Sequence, residues 1–190
     1  MKTFVIADPH FGHKNIIRYC NRPFESVSEM DRVLIDNWNK TVSNDDIIWV
    51  LGDFALTSRD YTKSIIKSLR GRKRLILGNH DRYSQEWYRE AGFEFVSPYP
   101  ILIENFIILS HAPLEFLNEN FPFFNIYGHV HNDSTYEDVT YNGGCVCVER
   151  IKYKPMDMDW IRITAGKIKN DKNRWEEFYK SFSKEHLKLI

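Results

Sequence analysis

Seven residues of the types that bind metal ions follow five short apolar runs along the chain. The runs span residues 3–7, 47–51, 74–77, 106–110 and 124–127. The residues that follow them are Asp8, His10, Asp53, Asn79, His111, His129 and His131. Carboxylate, amide and imidazole groups without a thiolate suit hard or borderline divalent cations. The inventory predicts a site for two such cations, provided that the fold brings the five places together.

The apolar runs are the elements that must position these residues. Short runs rich in Val, Ile and aromatic residues, ended by Gly or polar residues, are typical of buried strands. Helical patterns over residues 26–42, 58–69 and 84–91 separate the first strands, and Gly92 ends the last of these helices. This alternation predicts a parallel core sheet with helices packed on it. Ligands of such sheets bind outside the carboxyl ends of the strands, where the metal-type residues lie.

The pattern changes after residue 93. Residues 93–96, 101–104 and 106–109 form short strand-like runs with turn-like connections, which favour a second, antiparallel or mixed sheet facing the first. Residues 145–149 read as a further strand, and the chain reads as helical and charged from Met156 onward. Trp175, Phe178, Tyr179 and Phe182 recur at helical spacing and indicate a face that docks on the core. We therefore expect one domain over residues 1–190, with residues 156–190 as a C-terminal helical appendage.

Composition limits the class of protein. A chain of 190 residues suffices for one domain, and 43% hydrophobic with 27% charged residues is ordinary for a soluble globular protein. Lys plus Arg equals Asp plus Glu, at 26 each, which argues against a general nucleic-acid-binding protein. The first strand begins at Thr3, which leaves no room for a signal peptide, and no apolar stretch is long enough for a membrane span. We expect a cytoplasmic protein.

The three cysteines point to a reducing compartment, because their number is odd and their spacing forms no disulfide framework. Cys145 and Cys147 share one face of the strand predicted there. They could bind a metal ion, but two small core residues are the favoured interpretation.

A pair of cations would suit phosphate-ester chemistry. Two metal ions about 3.5–4 Å apart clamp the attacking and leaving oxygens of an in-line displacement and lower the pKa of a water molecule. A carboxylate such as Asp53 can contact both ions and offset their repulsion. Phosphate esters gain most from such a clamp, because their transition state spreads negative charge over several oxygens.

The motifs occur in the order of the calcineurin-like metallophosphoesterases, and the chain resembles that family from Phe4 to about Glu149. The motifs are Asp8-x-His10, Gly52-Asp53, Gly78-Asn79-His80-Asp81, a lone His111 and Gly128-His129-x-His131. Residues 8–13 resemble a small bacterial and phage branch of the family. The resemblance implies an α/β fold, a four-layer α/β/β/α sandwich of two mixed sheets flanked by helices.

The resemblance also implies a role for each motif residue. Two sets of side chains would hold the first and the second metal ion, namely Asp8, His10 and His131 and then Asn79, His111 and His129. Asp53 would bridge the ions. His80 would bind no metal and would approach the leaving-group oxygen as a proton donor or charge stabiliser, which is typically worth ~10²–10⁴-fold in rate. Mixed nitrogen and oxygen ligands admit Mn, Fe, Zn, Co or Ni.

Several residues around the motifs have two interpretations. His13 and Arg22 are predicted to bind substrate, and Arg82 has a similar claim, because a guanidinium fork fits phosphate oxygens. The alternative for each is a surface charge or a loop hydrogen bond. The partner that orients His80 is not identified, since the adjacent side chain of Asp81 is expected to point elsewhere. Residues 54–56 replace the acidic and arginine residues of protein phosphatases, which argues against that activity.

Three functions remain open from the sequence. The first is hydrolysis of a small, nucleotide-like phosphate mono- or diester by metal-activated water. The second is a nuclease or nucleic-acid end-processing phosphatase, which the basic run Arg70, Arg72, Lys73 and Arg74 motivates. The third is a binding module that retains the fold without catalysis. No residue pattern fixes the oligomeric state.

Overall fold

The computed structural model describes residues 1–117 and 123–170, with side chains as far as residue 166. The strands in these ranges are β1 (Thr3–Ile6), β2 (Ile47–Leu51), β3 (Arg72–Ile76), β4 (Phe95–Ser97), β5 (Ile101–Ile103), β6 (Ile107–Leu109), β7 (Phe124–Tyr127), β8 (Val139–Thr140), β9 (Gly143–Cys145) and β10 (Met156–Asp157). The helices are α1 (Lys14–Tyr19), α2 (Val27–Thr41), α3 (Arg59–Ser68), α4 (Gln85–Ala91) and α5 (Met158–Asn170).

The first sheet has the strand order β10-β1-β2-β3-β4. Strands β1 to β4 are parallel, since helices connect them and give the chain the length it needs to return to the same edge. Strand β4 was expected in the second sheet, but α4 provides a crossover that places it beside β3. Strand β10 pairs antiparallel with β1. The segment from Met156 therefore completes the first sheet before it becomes helical, because the free edge of β1 offers unpaired backbone groups.

The second sheet has the order β5-β6-β7-β9-β8. Strand β6 is parallel to β7, and β7 is parallel to β9, whereas β5 and β8 are antiparallel to their neighbours. The strand predicted over 145–149 begins earlier, at Gly143, and Cys147 forms an isolated bridge with Ala7 of the first sheet. The prediction of two mixed sheets with flanking helices is confirmed.

Three helices begin where the sequence predicts. The hydroxyl oxygens of Ser26, Ser58 and Ser84 each accept a hydrogen bond from the backbone N–H three residues further on. These N-caps satisfy donors that have no partner inside the helix. Helix α4 ends at Gly92, whose φ of 129° suits glycine far better than other residues.

The core extends through both sheets. Val5, Val50 and Leu75 of the first sheet and Leu109 and Ile126 of the second belong to one buried cluster. The sheets also exchange backbone hydrogen bonds, since the N–H of Ala7 donates to Val146 O at 2.9 Å and the N–H of Val148 donates to Ala7 O at 3.1 Å. These contacts hold the carboxyl end of β1 against the second sheet.

The predicted docking face at Trp175, Phe178, Tyr179 and Phe182 lies outside the described residues. Within the described part of the chain, no helix is both long enough and apolar enough to cross a membrane.

Candidate metal centre

The seven metal-type residues meet in one cleft between the sheets. Four of them follow β1, β2 and β3 at the carboxyl edge of the first sheet, and three follow β6 and β7 of the second sheet. Ligand atoms of Asp8, His10 and His131 lie within 4.8 Å of one another, and those of Asp8, Asp53 and His111 form an overlapping group. The remaining two residues, Asn79 and His129, contact His111.

Five of these seven residues have a left-handed backbone. The φ values are 56° for Asp8, 53° for His10, 51° for Asp53, 71° for His129 and 47° for His131. Residues other than glycine adopt this conformation rarely, and such strain concentrates at functional sites. Five of the ten non-glycine residues with positive φ in the described ranges belong to this cluster, so the strain is focused on the loops that aim its side chains.

Two buried atoms at the first group have no hydrogen-bond partner among the described residues. They are Asp8 Oδ1 and His10 Nε2. Asp8 Oδ1 lies 4.0 Å from His131 Nε2, and His10 Nε2 lies 3.4 Å from Asp53 Oδ2. An unpaired buried polar atom is costly unless a partner compensates it. A divalent cation would supply such a partner. The separation of 3.4 Å matches that of neighbouring ligands of one ion, which lie roughly 3.0–3.4 Å apart at the usual bond lengths, and the separation of 4.0 Å is somewhat longer.

The second group brings three candidate ligand atoms close together, one each from Asn79, His111 and His129. Burial lowers the pKa of His111, which keeps the ring neutral. Its Nδ1 lies 2.9 Å from Leu51 O and is the donor there, so Nε2 carries a lone pair. That Nε2 lies 2.9 Å from Asn79 Oδ1 and 3.1 Å from His129 Nδ1. Two lone pairs facing one another at this distance fit a cation between them.

The carboxylates of the cluster repel one another when no cation is bound. Burial raises the pKa of Asp8 well above its usual value, and the nearby charge of Asp53 raises it further. Glycines make room for both groups. A Cβ atom at Gly78 would lie 2.2 Å from Asp53 Oδ1, and one at Gly128 would lie 2.2 Å from Asp8 Oδ2. Any side chain at position 78 or 128 would therefore occupy the space that the neighbouring carboxylate takes.

Asp81 organises two of the loops. Its carboxylate accepts hydrogen bonds from the backbone N–H groups of Gly78 at 2.8 Å, Asp53 at 2.9 Å and Phe54 at 3.0 Å, and from the Tyr88 hydroxyl at 3.2 Å. Burial raises the pKa of Asp81 to about 7. The Asp81 carboxylate thus interacts with backbone N–H groups and the Tyr88 hydroxyl, and it does not orient the His80 ring.

His80 and His13 lie on the open side of the cleft. The backbone N–H of His80 donates to Asp53 Oδ1 at 2.8 Å, and its ring centroid lies 5.5 Å from that of His10. No described side chain hydrogen-bonds the His80 ring, so its orienting partner is not found among these residues. The His13 ring lies 6.4 Å from His80, and its Nδ1 lies 3.3 Å from His10 Nδ1. This position suits the predicted contact between His13 and substrate.

Arg22 was expected to face substrate, but it lies beneath the cluster and is only 4% exposed. Its guanidinium pairs with Glu149 at 2.7 Å and donates to the carbonyl oxygens of Asp8 at 2.8 Å and Pro9 at 2.9 Å. Because these bonds use its fork, the prediction that Arg22 binds a substrate phosphate is wrong. Arg22 instead supports the loop that carries Asp8 and His10.

Glu149 is a site residue that the motifs did not reveal as such. Its Oε1 accepts from His131 Nδ1 at 3.0 Å, which leaves His131 Nε2 to face Asp8. A carboxylate on the second nitrogen of a metal-binding histidine fixes the ring and makes it more basic. No spacing rule in the sequence links His131 to Glu149.

The cysteines belong to the core beneath the site. Cys145 and Cys147 pack with Tyr127 and Val130, and Cys147 Sγ donates to Asp8 Oδ2 at 3.2 Å. Cys20 lies near His131 and Glu149. Burial raises the pKa of Cys20 to about 12, which keeps the side chain a neutral thiol as long as no cation lies against it. The interpretation of Cys145 and Cys147 as core residues agrees with their burial.

The basic run lies at the amino-terminal end of β3 and just before it. The metal cluster follows the carboxyl end of the same strand, so the run and the cluster lie at opposite ends of β3. Arg70 donates to Asn39 O, Arg72 pairs with Glu94, Lys73 donates to Leu69 O, and Arg74 lies over the Trp49 ring. These contacts give the run a structural role away from the cleft.

The fold and this cleft define a class of hydrolase, and a family model agrees. The model of calcineurin-like phosphoesterases matches residues 1–185. The chain belongs to this family, and it is therefore an enzyme for metal-dependent hydrolysis of phosphoesters.

Relatives extend the likeness over most of the chain. An uncharacterized protein of Methanocaldococcus jannaschii is 35% identical over 179 residues, which are 88% of this chain and 94% of that protein. The gene 66 protein of Mycobacterium phage L5 is 41% identical over 85 residues, which are 42% of this chain and 39% of the phage protein. A solved structure, a protein of unknown function from Aquifex aeolicus, has a TM-score of 0.65 and 27% identity, with 85% of this chain and 98% of that chain covered. The Aquifex aeolicus protein thus shares the fold over most of this chain.

Proposed function

We propose that the protein hydrolyses a small phosphate mono- or diester at a centre of two divalent cations. The observation that carries the proposal is the position of Asp53 between the two groups of ligands. Its Oδ2 lies 3.4 Å from His10 Nε2 and 3.7 Å from His111 Nε2, so one carboxylate oxygen faces both groups. A shared carboxylate is what two adjacent cations need, because it offsets their repulsion.

Each ion would have its own set of ligands besides Asp53. The first set is Asp8, His10 and His131, and the second set is Asn79, His111 and His129. Mn, Fe, Zn, Co and Ni all suit this mixture of oxygen and nitrogen ligands. When bound, the cations supply Lewis acidity, which makes a water molecule more acidic and draws off charge from the phosphate.

The residues of the chain would bind, orient and protonate the substrate. His80 stands at the open side of the cleft, where its ring can donate a proton to the departing oxygen. The backbone N–H of His80 donates a hydrogen bond to the Asp53 carboxylate, and this bond would hold the proton donor close to the proposed centre. His13, next to both His10 and His80, would contact the phosphate or the group bonded to it.

The other two functions have less support. The basic run that motivated a nucleic-acid substrate lies at the far edge of the first sheet, where its residues are engaged in other contacts. The cleft also retains every motif residue that the family chemistry needs. A binding module without catalysis would be expected to lack some of them.

The test compares hydrolysis of p-nitrophenyl phosphate and bis-p-nitrophenyl phosphate in Mn²⁺ by the native protein and three variants. Asp53→Asn should abolish turnover and weaken retention of both metal ions, which elemental analysis measures. His80→Ala should retain both ions and lose ~10²–10⁴-fold in rate. Asp36→Asn, on the exposed face of α2, is the matched control and should change neither property. Full activity of Asp53→Asn would contradict the proposal.

A further inference from the structure

A second cleft lies along the chain segments that follow Asp53 and His80. It is lined by Ala55, Leu56, Thr57, Arg82 and Tyr83 and has a volume of about 240 Å³. Its lining comes from the two loops that carry Asp53 and His80. Pockets that enclose a whole drug-sized ligand measure roughly 300–1,000 Å³, so this cleft suits one group of a larger molecule.

The walls of this cleft are held in place by contacts that do not involve Arg82. The Tyr83 hydroxyl donates to Thr57 O at 3.0 Å, and the Tyr83 ring packs against Trp87 with 4.3 Å between centroids. On the opposite loop, Ala55 forms a backbone bridge with Phe11. The cleft is therefore a preformed feature whose shape does not depend on Arg82.

Arg82 is the chemically distinctive residue of the cleft. It is exposed, and within residues 1–117 and 123–166 no group hydrogen-bonds or ion-pairs with its guanidinium. The neighbouring carboxylate of Asp81 points inward to backbone N–H groups and Tyr88. Arg59 does not line the cleft, but its guanidinium lies over the Tyr83 ring at 5.0 Å, so a second positive charge stands near the cleft. A free guanidinium fork in a positive cleft is a site for a phosphate group.

We propose that this cleft binds a second phosphate, carried by the leaving group of the substrate, through the guanidinium of Arg82. The inference rests on the proposed function, in which His80 faces the leaving-group oxygen, because the cleft begins two residues beyond His80. The substrate class is then a phosphoester whose leaving group bears another phosphate. A nucleoside bisphosphate and a 5′-phosphorylated oligonucleotide share this chemistry.

The experiment compares three probes that differ in this second phosphate. They are adenosine 5′-monophosphate, adenosine 3′,5′-bisphosphate and a 5′-phosphorylated dinucleotide. Hydrolysis is measured with the native protein, Arg82→Ala, Arg82→Lys and the control Arg72→Ala, which removes the same charge at the opposite edge of the sheet. Binding of the same probes is measured by calorimetry in a His80→Ala background, so that a protein that hydrolyses none of them still reports on the cleft.

We expect the native protein to prefer a probe with a second phosphate, and Arg82→Ala to lose about 10- to 100-fold in kcat/KM for it, as for a charge-assisted hydrogen bond. The monophosphate should be unaffected, and Arg82→Lys should retain part of the preference. A loss confined to the dinucleotide would support the proposal and assign the phosphate to a polynucleotide. Equal loss for all probes, or no loss for any, would overturn the proposal, whether or not the protein hydrolyses them.

Discussion

Glu149 shows how much of the site depends on residues that would touch neither metal nor substrate. Its burial opposes a negative charge, but the hydrogen bond from His131 and the charge of Arg22 outweigh this effect and lower its pKa below the usual value. The carboxylate therefore stays ionised and fixes the His131 ring. Glu149 also pairs with Arg22, whose guanidinium donates to the backbone carbonyl of Asp8. Glu149 therefore supports two members of the first group, His131 directly and Asp8 through Arg22.

Replacing Glu149 by Gln should weaken metal binding. The amide keeps the size of the side chain but removes the charge that holds the His131 ring and balances Arg22. Loss of such a partner typically lowers metal affinity by ~10–100-fold. Chelator competition followed by elemental analysis measures the change. Glu94→Gln, in the exposed pair with Arg72, is the control, and equal affinities in the two variants would refute the role given to Glu149.

The candidate ligands were easier to predict from the sequence than the residues that hold them in position. The seven candidate ligands lie in short local motifs that follow strands, and such motifs can be recognised one at a time. Arg22 and Glu149 are 127 residues apart in the chain, and nothing local indicates that they pair. Asp81 lies inside a motif, but the direction of its side chain follows from the backbone of the loop rather than from spacing.

At the level of elements, local signals predicted α2, α3 and α4 but not the short α1, and non-local pairing decided the strands. Ser26, Ser58 and Ser84 mark helix starts because each cap contacts only its own next turn. The position of β4 depends on a crossover, and that of β10 depends on the free edge of β1. A run of apolar residues indicates a strand but not the neighbour with which it pairs, so β4 was assigned to the wrong sheet. The two residues of β10 carry no such run and were read as part of a helix.

Asp46 at the start of β2 gives a prediction about acid stability. Its carboxylate accepts hydrogen bonds from the backbone N–H of Lys2 at 2.7 Å and from the N–H and hydroxyl of Ser43, and these bonds lower its pKa to about 2. A lowered pKa in the folded state stabilises the protein above the unfolded value of about 4. The contribution should be lost as the pH falls from about 4 to about 2.

Denaturant unfolding at several pH values measures this contribution. Asp46→Asn should unfold more easily than the native protein at pH 7, and the difference should shrink as the pH falls through that window. Asp45→Asn, at an exposed neighbouring position, serves as the control and should show no such dependence. A difference between native protein and Asp46→Asn that stays constant from pH 7 to pH 2 would contradict the assignment.

At the scale of the whole molecule, the candidate centre joins two sheets. Asp8, His10, Asp53 and Asn79 come from the first sheet, and the remaining histidines come from the second. Even without a cation, the backbone N–H of His129 donates to Asp8 Oδ2 at 2.7 Å across this junction. Bound cations would add strong contacts between parts of the fold that otherwise meet through the core and a few backbone hydrogen bonds.

Removal of metal should therefore lower the Tm of the protein. A ligand that binds only the folded state at 100 times its Kd stabilises it by about 2.7 kcal/mol, which corresponds to roughly 5–10 °C for a chain of this size. Thermal unfolding with a chelator and with increasing Mn²⁺ measures the shift. Asp53→Asn should respond much less, and identical midpoints with and without metal in the native protein would rule out this linkage.

The division of the ligands between two sheets also has a consequence for biosynthesis. A ribosome that has released Asp8, His10 and Asp53 has produced only part of the candidate ligand set of either proposed ion, because His131 comes more than seventy residues after Asp53 and its partner Glu149 later still. Nascent domains fold as their segments emerge, N-terminal part first. We therefore expect the proposed centre to bind metal only after the chain as far as Glu149 has left the exit tunnel. The metal ion would then be selected by a protein in which both sheets have already been synthesised.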